Sequence, residues 1–212
     1  MKNNGYNIKE KSDTERKKGK RMEPLGVKKK QGSIVEILRD AILHNDIACD
    51  TELTQKEIAD SLEVSRMPVR EALILLEYQG LIRRLPNNHV KVVNFTKGYF
   101  SDIFQLGMQL EGKILQQMEK PETMMQLSEL AVHREIYRNC QNQLWSKTLE
   151  SITEIYLEYG IRNMQNPEEN KEREEFLHMV LKEAEKKEYT RMEGQLQKYF
   201  SRMIREFEKR EI

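Results

Sequence analysis

Arg66 and Arg70 are four residues apart in the segment that follows Ser65. Residues with this spacing lie on the same face of a helix, and Val69 and Leu73 would lie on the opposite, apolar face. A planar guanidinium group can bind guanine O6 and N7 or a pair of phosphate oxygens. A helix beginning at Ser65 would add partial positive charge for a phosphate. The pattern is compatible with DNA contacts and equally with an arginine face that is simply solvated.

Two shorter helices are predicted ahead of this segment. Ser33 with Glu36 and Thr54 with Glu57 have capping-box spacing, which marks the first residues of a helix. The first helix should stop near 44–46, and the second should run roughly over 55–62.

The third helix is predicted from Arg66 to about Gln79, with Ser65 as N-cap and Gly80 as its terminating residue. Two short strands should follow, over 81–85 and 90–93, joined by turn residues. Helix, helix, turn, helix and β-hairpin is the order of a winged helix-turn-helix.

The stretch from Leu53 to Val92 resembles the GntR family of bacterial transcription regulators. Its most specific motif is Val64-Ser65-Arg66-Met67-Pro68-Val69-Arg70-Glu71-Ala72-Leu73, followed by Gly80-Leu81-Ile82. The resemblance implies double-stranded DNA as partner, with contacts from the third helix and its surroundings and from the wing tip: Lys56, Ser65, Arg66, Met67, Pro68, Arg70, Asn88 and His89. Glu63 and His89 stand where the family usually has Gly. At the wing tip, a β-carbon restricts positive φ angles.

Charge divides the 212-residue chain unevenly, although 36 Lys and Arg nearly balance 35 Asp and Glu. Residues 1–30 carry 11 basic and 4 acidic side chains, which predicts a disordered basic arm. It is either a solvated tail or an electrostatic arm along DNA phosphates. Residues 31–96 would form the DNA-binding domain and residues 97–212 a second domain.

The second domain should be helical throughout. Between Phe100 and Phe207 five segments repeat apolar residues at helical spacing, with breaks at Pro121 and at Asn166-Pro167. The predicted fold class is therefore mainly α: an N-terminal winged helix-turn-helix and a C-terminal all-helical bundle. No apolar run is long enough for a membrane span. With two cysteines, taken as free thiols, the protein is expected in the reducing cytoplasm.

Parts of this second domain resemble the FCD ligand-binding domain of the FadR-type GntR subfamily, in a degenerate and shortened form. The matching residues are Val132-His133-Arg134-Glu135-Ile136-Tyr137 and Phe176-Leu177-His178. The resemblance implies effector sensing, dimerisation and a divalent metal, Zn²⁺ or similar, held by Glu129, His133 and His178. A third family histidine falls near Phe200, which cannot be a ligand. The alternative is that these side chains are satisfied by hydrogen bonds in the bundle core.

The predicted function is a DNA-binding transcription regulator, not an enzyme. It would be a homodimeric repressor that reads a near-palindromic operator and senses a small molecule. One alternative is a non-specific architectural DNA-binding protein whose helical domain is purely structural. A metallohydrolase using Glu129, His133 and His178 is disfavoured, because the chain has no HExxH motif and no Gly-rich phosphate loop.

Overall fold

The computed structural model of the protein describes residues 33–163 and 166–208, so the predicted basic arm (1–30) lies outside the described residues. The N-terminal domain contains three helices and three strands. In chain order these are α1 (Ile34–Leu43), β1 (Glu52–Leu53), α2 (Gln55–Leu62), α3 (Arg66–Tyr78), β2 (Ile82–Arg84) and β3 (Val90–Val92).

Local capping signals define where α1 and α2 begin. Both predicted capping boxes are formed: the backbone N–H of Ser33 donates to Glu36 Oε2 at 2.8 Å, and that of Thr54 donates to Glu57 Oε2 at 2.8 Å. The reciprocal bonds from the third helical residues are also present. α2 ends at Glu63, which adopts a left-handed conformation with φ 56°. A non-glycine residue pays about 1–2 kcal/mol for this conformation.

The strands form a small antiparallel sheet with the order β1-β3-β2. Leu53 pairs with Val90, and Ile82 pairs with Val92. The two predicted strands are confirmed in slightly shorter form, whereas β1 was not predicted. Gly80, with φ 77°, follows α3 as expected of the residue that terminates a helix. The sheet thus sets the wing against the three helices.

The helical region follows directly. It consists of α4 (Lys97–Gln117), a 3₁₀ helix (Pro121–Met124), α5 (Glu129–Arg138), α6 (Gln143–Ser151), a π-helical segment (Ile152–Leu157), α7 (Glu158–Asn163), α8 (Pro167–Glu185) and α9 (Tyr189–Glu208). α9 packs mainly against α8 and α4. The prediction of a helical bundle is confirmed. The helix that carries His133, α5, begins only after Ser128.

Three tyrosines of the helical region, here called the junction tyrosines, hydrogen-bond to the N-terminal domain. The hydroxyl of Tyr159 donates to the carbonyl of Leu43 at 2.7 Å, at the end of α1. The hydroxyl of Tyr99 donates to the carbonyl of Gly80 at 3.0 Å, and that of Tyr156 donates to the carbonyl of Gln79 at 3.1 Å. The last carbonyls of a helix have no partner within it, so the helical region caps the ends of α1 and α3.

In the described part of the chain, none of the helices combines the length and the apolar character that crossing a bilayer requires.

Candidate nucleic-acid interface

An open groove lies between the starts of α2 and α3 and the β2–β3 wing. Polar and basic side chains from all three elements line it: Thr54, Gln55, Lys56, Arg66, Arg70, Arg84, Asn87, Asn88 and His89. Five of the eight predicted DNA-contact residues, Lys56, Arg66, Arg70, Asn88 and His89, are thereby brought together. A concave surface carrying four basic side chains attracts a polyanion.

Burial of one face of α3 fixes the direction of its arginines. Val69, Ala72, Leu73 and Leu76 are buried against the domain core, while Arg66 and Arg70 are exposed. The predicted opposition of an apolar and an arginine face is therefore present in the structure. Both guanidinium groups are presented from the first turns of the helix, where its unpaired N–H groups also add positive potential.

The other predicted residues of α3 lie at its start but do not line the groove. Ser65 is the N-cap and is exposed, and its side chain makes no capping hydrogen bond. Met67 is 73% exposed, whereas Pro68 is half-buried in the first turn.

The wing tip places its positive φ angle on a residue that tolerates it. The positive φ angle, 61°, falls on Asn88 and not on His89. Asparagine adopts this conformation more readily than most residues. The β-carbon of His89 is therefore not at a residue with positive φ, and the exposed side chain of Asn88 stands at the tip of the wing.

A carboxylate on β1 braces the wing. Glu52 Oε1 accepts a hydrogen bond from Asn87 Nδ2 at 3.0 Å and another from His89 Nδ1 at 2.6 Å. The bond from Asn87 and then that from His89 lower the pKa of Glu52. Asn87 Oδ1 also accepts the backbone N–H of His89 at 3.1 Å. The side chain of His89 is thus engaged in holding the turn.

Sequence reasoning missed Glu52, Asn87 and Arg84. Arg84 donates through Nε and Nη2 to Glu77 Oε2, both at 3.2 Å, which joins the wing to α3. The alternation of side chains along a strand could have placed Arg84 on one face of β2. Nothing in the sequence links Glu52 to residues 35 and 37 positions away.

The three predicted metal ligands are not brought together. Glu129 and His133 are buried on α5, but His178 is exposed on α8. Both oxygens of Glu129 accept hydrogen bonds from the buried guanidinium group of Arg173. Among residues 33–163 and 166–208 no group of three His, Cys, Asp or Glu side chains is arranged to hold a metal ion. The placement of these residues does not support the predicted metal site.

Instead, Glu129 and His133 belong to a buried polar cluster that was not predicted from the sequence. Its other members are Glu111 on α4, Arg173 on α8 and Tyr199 on α9, each at most 1% exposed. Burial favours the neutral form of His133, but the charge and hydrogen bond of Glu111 outweigh it and raise the pKa of the imidazole. Burial and the charge of Glu129 raise the pKa of Tyr199.

Residues 30–92 match the family model described as bacterial regulatory proteins, gntR family. The N-terminal domain is a GntR-type domain. Over 72 residues the chain is 40% identical to the HTH-type transcriptional repressor RspR of Escherichia coli K12, a match that covers 32% of each protein. Over 49 residues it is 45% identical to an uncharacterized HTH-type regulator of Streptomyces ambofaciens, covering 23% of this chain and 21% of that protein. The matched segments thus span a third or less of these curated relatives.

Two solved structures share the fold over most of the chain. E. coli McbR/YncC is 18% identical, with a TM-score of 0.55, covering 83% of this chain and 95% of that one. A structure titled "Lar controls the expression of the Listeria monocytogenes agr system and mediates virulence" is 13% identical, with a TM-score of 0.58, covering 84% and 96%. At these identities the similarity shows a shared fold, including the helical region, and nothing about function.

Proposed function

We propose that this protein is a sequence-specific, DNA-binding transcription regulator. The observation that carries the proposal is the convergence of Lys56, Arg66, Arg70 and the wing on one open groove of a GntR-type domain. The similarity to the transcriptional repressor RspR supports the same function. Nothing in the groove resembles a catalytic arrangement of nucleophile and base, so the chemistry of the surface is that of binding.

In this proposal the first turns of α3 enter the major groove of DNA. Arg66 and Arg70 lie on its exposed face and would bind guanine edges or phosphates. Ser65 and the free N–H groups at the start of the helix would bind a phosphate, as would Lys56 from α2. Met67 and Pro68, in the same turn, would pack against the bases or sugars. Asn88 and the braced His89 would contact the backbone beside the major groove.

We further propose a homodimer formed through the helical region, as in a FadR-type regulator with a degenerate FCD-like domain. Two N-terminal domains related by a two-fold axis would bind two half-sites, so the operator would be a short near-palindrome. Repression is the mode suggested by the related RspR. A small molecule bound to the helical region would act by changing the placement of the two N-terminal domains. The junction tyrosines connect the helical region directly to the N-terminal domain.

The test is a genomic footprint with the purified full chain, followed by affinity measurements on the site it finds. Arg66→Ala and Arg70→Ala should each weaken operator binding by about 1–3 kcal/mol if the arginine reads a base bidentately. Arg191→Ala, an exposed arginine on α9 away from the groove, is the matched control and should bind as the wild type does. Wild-type affinity in both groove variants would refute the assigned mechanism.

The same purified protein and DNA site also distinguish a specific regulator from the alternative, a non-specific architectural protein. A non-specific architectural protein would bind random duplexes as tightly as the footprinted site. A specific regulator should bind its operator at least a thousandfold more tightly at physiological salt. Deletion of residues 1–30 would abolish binding only if the basic arm supplies most of the affinity.

A further inference from the structure

Five side chains from four helices form a continuous hydrogen-bonded chain inside the helical region. Glu111 Oε1 is 2.6 Å from His133 Nδ1, and His133 Nε2 is 2.8 Å from the hydroxyl of Tyr199. That hydroxyl is 2.8 Å from Glu129 Oε1. Arg173 closes the chain, with Nε 2.9 Å from Glu129 Oε1 and Nη2 3.1 Å from Oε2.

The direction of each hydrogen bond follows from which groups can donate. Arg173 and the hydroxyl of Tyr199 both donate to Glu129, so the Tyr199 oxygen is left to accept from His133 Nε2. The other imidazole nitrogen is hydrogen-bonded to the carboxylate of Glu111. Both nitrogens of His133 therefore have partners inside the network, and the guanidinium of Arg173 is the cation that faces Glu129.

This arrangement does not fit a divalent cation between Glu129 and His133. A metal binds an imidazole through a nitrogen lone pair, but both nitrogens of His133 already face hydrogen-bond partners, Glu111 Oε1 and the hydroxyl of Tyr199. A metal also binds carboxylate lone pairs, and the guanidinium of Arg173 already takes one from each oxygen of Glu129. His178, five residues beyond Arg173 on α8, is exposed and takes no part.

We propose that Arg173 supplies the positive charge that a bound divalent cation would otherwise supply in this core, so that the helical region folds and keeps its shape without a metal. The guanidinium is 1% exposed and is oriented by a further bond, from Nη1 to Asn170 Oδ1 at 3.0 Å. A fixed, planar fork matches a carboxylate through two parallel bonds. Its charge is covalently attached and cannot be removed by a chelator.

A corollary concerns what the cluster becomes when Arg173 is removed. Glu129 would then be a buried carboxylate without its cation, close to His133 through the shared Tyr199 hydroxyl. Leaving a buried charge unpaired is strongly destabilising, and neutralising Glu129 as well should relieve part of that cost.

The first experiment uses the full-length, untagged wild-type protein. Its metal content and its melting temperature are measured before and after dialysis against EDTA, and again with added ZnCl₂ or MnCl₂. The proposal expects no stoichiometric metal and an unchanged melting temperature after chelation. A stoichiometric metal whose removal lowers the melting temperature, and whose binding is lost in His133→Gln, would overturn it.

The second experiment uses Arg173→Ala with Arg173→Lys as the matched variant that retains a cation. Removing one partner of a buried pair should lower the melting temperature of Arg173→Ala by roughly 10 °C. Arg173→Lys, which keeps a cation, and Arg173→Ala/Glu129→Gln, which removes the unpaired carboxylate, should each melt above Arg173→Ala. Equal melting temperatures of the three variants would refute the proposal. If Arg173→Ala does not fold, the chelation result on the wild type decides it.

Discussion

Tyr159→Phe tests whether the junction between the two parts of the chain contributes to stability. The substitution removes one hydroxyl, which lies 2.7 Å from the carbonyl of Leu43 at the end of α1. The ring keeps its edge-on contact with His44, at 5.0 Å between centroids. Tyr159 is 8% exposed, so water does not readily replace the lost donor. The change is close to a pure deletion of one buried hydrogen bond.

The size of the effect follows from that geometry. An intramolecular hydrogen bond contributes about 1 kcal/mol net, and a buried carbonyl left without a donor raises the cost to about 1–3 kcal/mol. For a chain of this length each kcal/mol corresponds to roughly 2–4 °C in melting temperature. We therefore expect Tyr159→Phe to melt roughly 2–12 °C below the wild type.

Urea unfolding followed by circular dichroism measures the free energy directly, provided that the slope of the transition is unchanged. Tyr78→Phe is the matched control, because Tyr78 is 77% exposed and the same atom is removed. The control should remain within about 0.5 kcal/mol of the wild type. If the two variants were equally stable, the hydroxyl of Tyr159 would not be holding the end of α1.

Three further predictions concern the helical region. Gly160→Ala should destabilise the protein by about 1–3 kcal/mol, because its β-carbon would lie 2.8 Å from Met203 Sδ. Gly194→Ala, whose β-carbon meets nothing within 4 Å, should stabilise α9 by up to about 1 kcal/mol. Equal melting temperatures of the two variants would contradict this packing. Arg134 lowers the pKa of Glu154 through hydrogen bonds of 2.7 and 2.6 Å. The pair therefore stabilises the fold above the unfolded carboxyl's pKa of 4.5 and loses that contribution as the pH falls through the lowered pKa. Urea titrations at several pH values should show the stability difference between wild type and Glu154→Gln shrinking in acid, and a constant difference would contradict the assignment.

Signals that act within a few residues made much of the N-terminal domain predictable. The capping residues Ser33 and Thr54 set the starts of α1 and α2, and Gly80 ends α3, all as expected. The exposed face of α3 followed from helical spacing alone, so Arg66 and Arg70 were placed on the correct surface. Their role in DNA binding is still a prediction.

Contacts between distant residues were not predictable in the same way. The two-residue strand β1 exists because Glu52 and Leu53 pair with β3, and two residues are too few to show alternation. The brace from Glu52 to the wing likewise depends on that pairing. The sequence identified which residues form the wing, but not what holds it in place.

The buried cluster shows a signal that was present but not used. Arg173 precedes Leu177, Val180 and Ala184 by four, seven and eleven residues, which places it on the buried face of α8. An arginine at such a position requires a buried carboxylate as partner. That reasoning would have directed attention from His178, on the opposite face, to Arg173 as the partner of Glu129.

The π-helical segment gives the α6–α7 rod one residue more than a regular helix would need. A regular helix rotates by about 100° per residue, and a wider turn of this kind absorbs roughly one such step. The segment holds Glu154, which binds α5, and Tyr156, which binds the end of α3. Shortening it by a single residue would turn everything beyond it, including Tyr159, away from α1. The connection between the helical region and the N-terminal domain therefore depends on the rotational position of the residues that follow the π-helical segment.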